Sequence, residues 1–423
     1  MNQWLKFFWV SSYRASMIKI RPYLLRNTIQ HYAWGMRGKD AFIPKFIGAD
    51  GEDEKPYAEL WIGAHPKAPS HIEIDGAWQS LHDVLARYPN QFLGERVAKK
   101  FSNQLPFLFK VLSAAEPLSI QTHPNTQQAK ILHDKNAINY PDDNHKPEIA
   151  IALDGLTALV GFKSYRKIID VFETYPMLVA CIGEELFFRL HSAINADEDT
   201  QRALMKEMYS TLMHRALCEE KLLAEVIAAI EHSILITSKG RNETEQLFLD
   251  AKKIYGVDVG LISIFLLNLI HLKEGEGIFT EAGVPHAYIK GNIVECMANS
   301  DNVVRAGLTQ KFKDVETLTE ILTYRLGEVA AVHKDIAEYE TSYRTPADEF
   351  QISKLKLSKN TLNTISENDT VQIFLVAEGA IELQWKDHVQ QFQKGNALLL
   401  PAMLSTYSIR TLSDAMLFKV TVP

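Results

Sequence analysis

Cysteine is scarce in this chain. Its 423 residues include only Cys181, Cys218 and Cys296, far apart and without CxxC spacing. A sparse, odd set argues against a disulfide-stapled scaffold and points to a reducing compartment. Long apolar runs are missing as well, and none approaches the ~18 residues of a membrane span. The longest, Leu261–Leu272, is interrupted by Ser263, Asn268 and His271 and reads as a buried strand or core helix. There is no basic stripe: 45 Lys and Arg stand against 52 Asp and Glu, for a net charge of −7, so no nucleic-acid footprint is present. Low-complexity tracts and flexible linkers are also absent. The remainder, 46% hydrophobic and 23% charged, is ordinary for a globular protein, and its length allows about two to four domains.

The first residues, MNQWLKFFWV, are only faintly like a signal peptide. Lys6 breaks the apolar run and no small-residue cleavage pattern follows. A strand-like pattern begins with MIKIRPYLL at Met17, so residues 1–16 read as a disordered or mis-assigned extension. The cytoplasm is the expected location.

Residues 18–160 alternate short apolar runs with Gly, Pro, Asn and Asp, as in ELWIGAH (59–65), SHIEID (70–75), PFLFKVLS (106–113), PLSIQTH (117–123) and PEIAIAL (147–153). That punctuation predicts strands. Helices are predicted at Ser80–Ala86 and at Thr126–His133, the latter capped by Asn125. From about Ser164 to Tyr255 the apolar period lengthens to 3.6 through 204–217, 218–234 and 243–255, which predicts a helical insertion. Strand character returns over Ile262–Leu272, runs to Glu295, and recurs at 350–357, 370–379, 381–386 and 397–402. The expected fold is therefore mostly β with an inserted α domain. Its predicted units are a first catalytic part (17–163), the helical insertion (164–258), a second catalytic part (259–325) and a C-terminal β domain (326–423).

Four stretches supply side chains able to converge on one divalent ion: Gln121 and His123 in QTHP, Glu148 in NHKPE, and His286 in PHAY. On a strand Gln121 and His123 share a face, because side chains alternate with period two. A carboxylate opening a buried strand, as Glu148 does, costs several kcal/mol unless it is paired or metal-bound. Oxygen and nitrogen donors of this kind suit zinc or a similar ion with a position open to substrate. Arg305 and Lys311, in NSDNVVRAGLTQK, could clamp an anion, Arg by bidentate contact and Lys as a point charge.

An internal comparison adds to this. The segment from Gly275, G-EGIFT-E-A-G-VP-H, aligns with one from Gly395, G-NALLL-P-A-M-LS-T, with Met403 replacing Gly283 and Thr406 replacing His286. Both resemble the second motif of the cupin family, which implies two jelly-roll barrels, one catalytic and one degenerate. More extensively, QHYAWG (30–35), AELWIGAHPKAPS (58–70), LPFLFKVLSAAEPLSIQTHPN (105–125), NYPDDNHKPE (139–148), AGVPHAY (282–288) and ECMANSDNVVRAGLTQKF (295–312) together resemble type I mannose-6-phosphate isomerase.

The resemblance implies a zinc-dependent aldose–ketose isomerase with one ion per chain on Gln121, His123, Glu148 and His286. It acts on a sugar phosphate through a cis-enediol, and a monomer is the expected state. The resemblance places Lys110, Ser119, Lys311, Trp34 and Tyr288 beside the substrate. It leaves Arg305 to steady either the enediol charge or the phosphate. Lys146, His145 and Glu295 are the candidates for the base, with the His145/Lys146 pair preferred. His31, Thr126 and Gln310 depart from the family's usual Asn, Lys and Pro, but none is a ligand. Two competing readings are an iron-dependent cupin oxygenase, against which Gln121 and Arg305 speak, and a non-catalytic sugar-phosphate sensor, which would be expected to have lost a ligand or charge.

Overall fold

The structure is a computed structural model that describes residues 18–237, 240–366 and 368–423. The extension read at 1–16, and Met17, lie outside the described residues.

One large antiparallel sheet organises the first two-thirds of the chain. Its strands run in the order Leu267–Lys273, Glu148–Phe162, His286–Ala298, Phe107–Ala114, Glu59–Gly63 and Thr28–Gln30. Three short strands attach beside this path. Gly277–Thr280 pairs with the start of Glu148–Phe162, and Ile120–Thr122 links His286–Ala298 to Val304–Gly307.

Period-two alternation decides what each face of this sheet does. In Phe107–Ala114 every residue is buried. Phe107, Phe109 and Val111 point outward into a core shared with Leu60, Ile62, Ile149, Ile151, Val294 and Cys296. That core is completed by Ile352, Ile373, Leu375, Leu399, Phe418 and Val420 of the C-terminal sheet. Burying each such Phe or Ile contributes about 1.5–3 kcal/mol. The alternate residues, Lys110, Leu112 and Ala114, therefore face inward, as do Ile293 and Glu295 on the paired strand His286–Ala298 and Glu148 and Ala150 on the strand beyond it. The apolar part of this inner wall mixes small side chains (Ala114, Ala150, Ala152, Ala158) with Leu112, Leu156, Ile278 and Ile293.

The helices of residues 165–266 leave from Glu148–Phe162 and return to Leu267–Lys273, two strands paired directly with each other. In Glu198–Cys218, Met205, Met208, Tyr209, Leu212, Met213 and Ala216 fall on one stripe and are buried, while the Asp197 side chain caps the first turn through Thr200 N. The predicted helices near 80 and 126 form as Leu81–Arg87, capped by Ser80, and Thr126–Asn136, closed by a reciprocal Asn125/Gln128 capping box.

Two expectations are corrected here. Ile262–Leu266 is not strand: Gly260–Leu266 is a fully buried helix, and the strand starts only at Leu267. A run apolar on every side carries no period to tell the two apart. Second, Tyr23–Leu25 does not join the sheet of the first domain. It pairs with Ala397–Leu400 at the edge of the seven-stranded C-terminal sheet, so the chain's beginning is woven into its end. A four-stranded sheet packs on the other side of that C-terminal sheet around Leu355, Phe374, Leu383, Phe392 and Ile409.

Candidate metal centre and active site

His123, Glu148 and His286 are fully buried and offer donor atoms that all lie within 4.8 Å of one another. Gly283 supports this arrangement at φ +77°, where a β-carbon would meet the Ile321 carbonyl at 2.5 Å, so the turn entering His286 requires glycine. His286 Nε2 is 2.9 Å from one Glu148 oxygen and His123 Nε2 is 3.5 Å from the other. Each imidazole turns its Nδ1 to a backbone carbonyl, Asn302 at 2.8 Å for His123 and Val284 at 3.0 Å for His286. A carbonyl only accepts, so both Nδ1 atoms carry the proton and both Nε2 lone pairs face Glu148. Histidines that bind metals are commonly oriented in this way. His123 Nε2, His286 Nε2 and Glu148 Oε2 have no hydrogen-bond partner despite complete burial. Three orphaned donors converging on one point are what a divalent cation satisfies.

Gln121 joins them through the sheet. It stands directly opposite His286 on one side and Arg305 on the other, and directly opposed residues share a face. All four sequence-predicted ligands and Arg305 are thus brought to one wall. Arg305 is half-buried, and burial lowers its pKa. Among the described residues this guanidinium has no carboxylate partner.

Lys146 follows the same logic, with Nζ 3.4 Å from Glu148 Oε2 and the residue 8% exposed. Tyr288 reaches Glu148 Oε1 at 3.4 Å, and burial together with Glu148 and Glu295 pushes its phenol pKa up. Lys110, which the resemblance places beside the substrate, is held by carboxylates. Its Nζ lies 2.9 Å from Glu295 and 3.6 Å from Glu59, its pKa is raised because those carboxylates outweigh burial, and it sits over the Trp61 ring. Burial raises the Glu295 pKa against the pull of Lys110. His145 turns from the cluster to Glu349, 2.7 Å away. Ser119 and Trp34 are half-buried, Trp34 packing beside the inner apolar wall, and Lys311 is exposed.

Several supporting residues escaped the sequence reading. Asn302, fully buried, donates through Nδ2 to the Asp142 and Asn144 carbonyls while its own carbonyl orients His123. The Asp142 carboxylate in turn accepts from Ser300 Oγ and Asp301 N. This network ties NYPDDNHKPE to ECMANSDN. The only signal in the sequence was the density of Asn and Asp in both stretches.

In the metal-free protein, burial and then Lys146 depress the His123 pKa from 6.5 to about 4, against the opposing pull of Glu148. The Glu148 pKa is also held low, because Lys146, His286 and His123 outweigh burial. The unfolded chain therefore takes up a proton near pH 6.5 that native His123 refuses until about pH 4. Stability from this site is complete above pH 6.5 and is lost as pH falls toward 4, and lower still for Glu148. The Tm of chelator-treated protein is expected to fall steeply between pH 7 and 4; a flat profile would contradict a buried, neutral His123.

A family model described as the catalytic domain of type I phosphomannose isomerase matches residues 23–165. Fold and site thus fall in the class of type I sugar-phosphate isomerases. Mannose-6-phosphate isomerase 2 of Arabidopsis thaliana is 35% identical over 393 residues, covering 89% of this chain and 88% of its own. Human mannose-6-phosphate isomerase is 36% identical over 378 residues, covering 85% and 88%. Among solved structures, a mutant phosphomannose isomerase from Salmonella typhimurium is similar with a TM-score of 0.82 at 29% identity, over 94% of this chain and 98% of that one. A mannose 6-phosphate isomerase bound with zinc and yttrium is similar at TM-score 0.81 and 30% identity, over the same shares. The chain belongs to the mannose-6-phosphate isomerase family.

Proposed function

We propose that this chain interconverts mannose 6-phosphate and fructose 6-phosphate with zinc held by Gln121, His123, Glu148 and His286. The observation that carries the reading is three buried, partnerless donors beside Arg305, a guanidinium with no carboxylate partner among the described residues. A bound zinc supplies Lewis acidity to the sugar oxygens. The chain's own residues do the rest. Arg305 holds negative charge at the sugar, either the enediol oxygen or the phosphate, and Lys311 stands further out on the same loop. Lys146 Nζ, enclosed beside Glu148, carries the proton between C2 and C1 through a cis-enediol. His145, occupied by Glu349, positions this segment. Lys110 and Glu295 form a charged wall, and Glu295 together with Glu148 and burial keeps Tyr288 protonated.

A cupin-type pair of barrels is supported by one repeated feature. Gly275 and Gly395 both adopt left-handed φ, +76° and +87°, and each precedes by two residues a four-residue strand, Gly277–Thr280 or Ala397–Leu400. The domain division at 17–163, 164–258, 259–325 and 326–423 follows from the same reading, with Tyr23–Leu25 exchanged. No described helix is long and apolar enough to cross a membrane. A cytoplasmic location is proposed, supported by the sparse cysteines, and a monomer is the state the family resemblance implies.

The test is a coupled assay for fructose 6-phosphate with metal-replete protein and mannose 6-phosphate. Turnover is expected, abolished by chelator and restored by zinc. No turnover with zinc loaded would end this reading.

A further inference from the structure

Arg305 and Lys311 lie on either side of a strained turn, and what holds that turn comes from the helical insertion. Gly307 has φ +156° and Leu308 φ +51°, a left-handed conformation that leucine adopts only under constraint. The constraint is Asp258, 4% exposed, in the segment joining the helices Glu243–Tyr255 and Gly260–Leu266. One of its oxygens, Oδ1, accepts from Leu308 N at 2.6 Å and from Gly260 N at 2.7 Å. The other, Oδ2, meets Lys313 Nζ at 3.0 Å, and that ammonium also donates to the Thr309 carbonyl at 2.8 Å. The loop 308–313 is therefore wrapped around a single buried carboxylate, with Lys311 at its apex. Contact is so close that a β-carbon on Gly260 would collide with Leu308 N, and one on Gly307 with Gly260. From the same helix end, Tyr255 donates its hydroxyl to the Pro117 carbonyl at 2.5 Å, two residues before Ser119.

We propose that Asp258 is a positioning residue for the substrate anion. By fixing the Gly307–Leu308 turn it sets the geometry of Arg305 and Lys311, and so couples the helical insertion to substrate affinity. The proposal rests on the reading that Arg305 and Lys311 face the sugar phosphate. Asp258 touches neither the metal donors nor the substrate; its effect passes through the backbone of the turn.

Asp258→Ala removes the oxygen that accepts from both backbone N–H groups, Leu308 and Gly260. KM for mannose 6-phosphate and the inhibition constant of inorganic phosphate are expected to rise together by roughly tenfold to a hundredfold, the scale of an ångström-sized misplacement. kcat should fall less than in Arg305→Ala, because the guanidinium is displaced and not removed, and zinc content should not change. A purely structural role would lower the active fraction and leave both constants in place, which would overturn the proposal. Asp258→Asn keeps an oxygen for the two N–H groups and should restore both constants nearly to wild type. If it fails to do so, the charge and not the staple is responsible, and the proposal falls. Should Asp258→Ala not fold, Asp258→Glu serves: its longer side chain shifts the bridge, and wild-type constants in that variant would overturn the idea. Calorimetric binding of mannose 6-phosphate separates this from the activity itself. An inactive wild type that still binds it more tightly than Asp258→Ala would discard the isomerase reading and keep the staple.

Discussion

Replacing Glu148 by alanine is expected to strip the protein of zinc and lower turnover by roughly a thousandfold or more, since a Lewis-acidic ion supplies several kcal/mol to such a reaction. The expectation follows from how much converges on one carboxylate. Glu148 is approached by both histidine Nε2 atoms and by Lys146, all in a buried wall. Without it, two neutral imidazoles and a glutamine amide would remain around a nearby ammonium, and a divalent ion would find no anionic donor. Elemental analysis should fall from about one zinc per chain to near zero if the site is as proposed. Glu148→Gln separates charge from shape, because it fills the same space beside Tyr288 but carries no charge. Stoichiometric zinc with unchanged turnover in either variant would remove Glu148 from the metal site.

How much of this could be read from the sequence depends on whether a residue's neighbours are set by local rules. The inward projection of Gln121 and His123 was legible because a strand has period two. Glu148 was legible because a carboxylate that begins a buried apolar strand demands a partner. The helices over 198–236 were legible from a 3.6 period. By contrast, Gly260–Leu266 is buried on all sides and so has no pattern to separate helix from strand. Lys110 was expected beside the substrate only through the family resemblance, and its strand does turn it inward. Its engagement by Glu295 and Glu59 depends on cross-strand register, Glu295 lying directly opposite Lys110, and register is a tertiary fact. The same holds for His145 against Glu349, 204 residues away, and for Asn302, whose backbone rather than side chain orients His123. The union of Tyr23–Leu25 with Ala397–Leu400 links the two ends of the chain and leaves no local trace.

Arg305→Ala should lower kcat by roughly a hundredfold to a thousandfold, as loss of a preorganised group facing developing negative charge does, while zinc content stays at the wild-type level. The two readouts separate because of where Arg305 sits. It shares a face with Gln121 through strand pairing, yet no protein carboxylate neutralises it, and its pKa is lowered by burial. A half-buried guanidinium without an anion is a standing cost that the fold has not relieved with any of its own acids, although Glu148, Glu295 and Glu59 line the same wall. An anionic sugar would relieve that cost on binding. A carboxylate supplied by the protein would instead weaken the charge available to the reaction. Arg305→Lys should recover only part of the rate, because an ammonium restores charge without the planar, two-pronged geometry. Loss of zinc in Arg305→Ala would mean that the guanidinium supports Gln121 and the ion, and its assignment to the substrate would then be wrong.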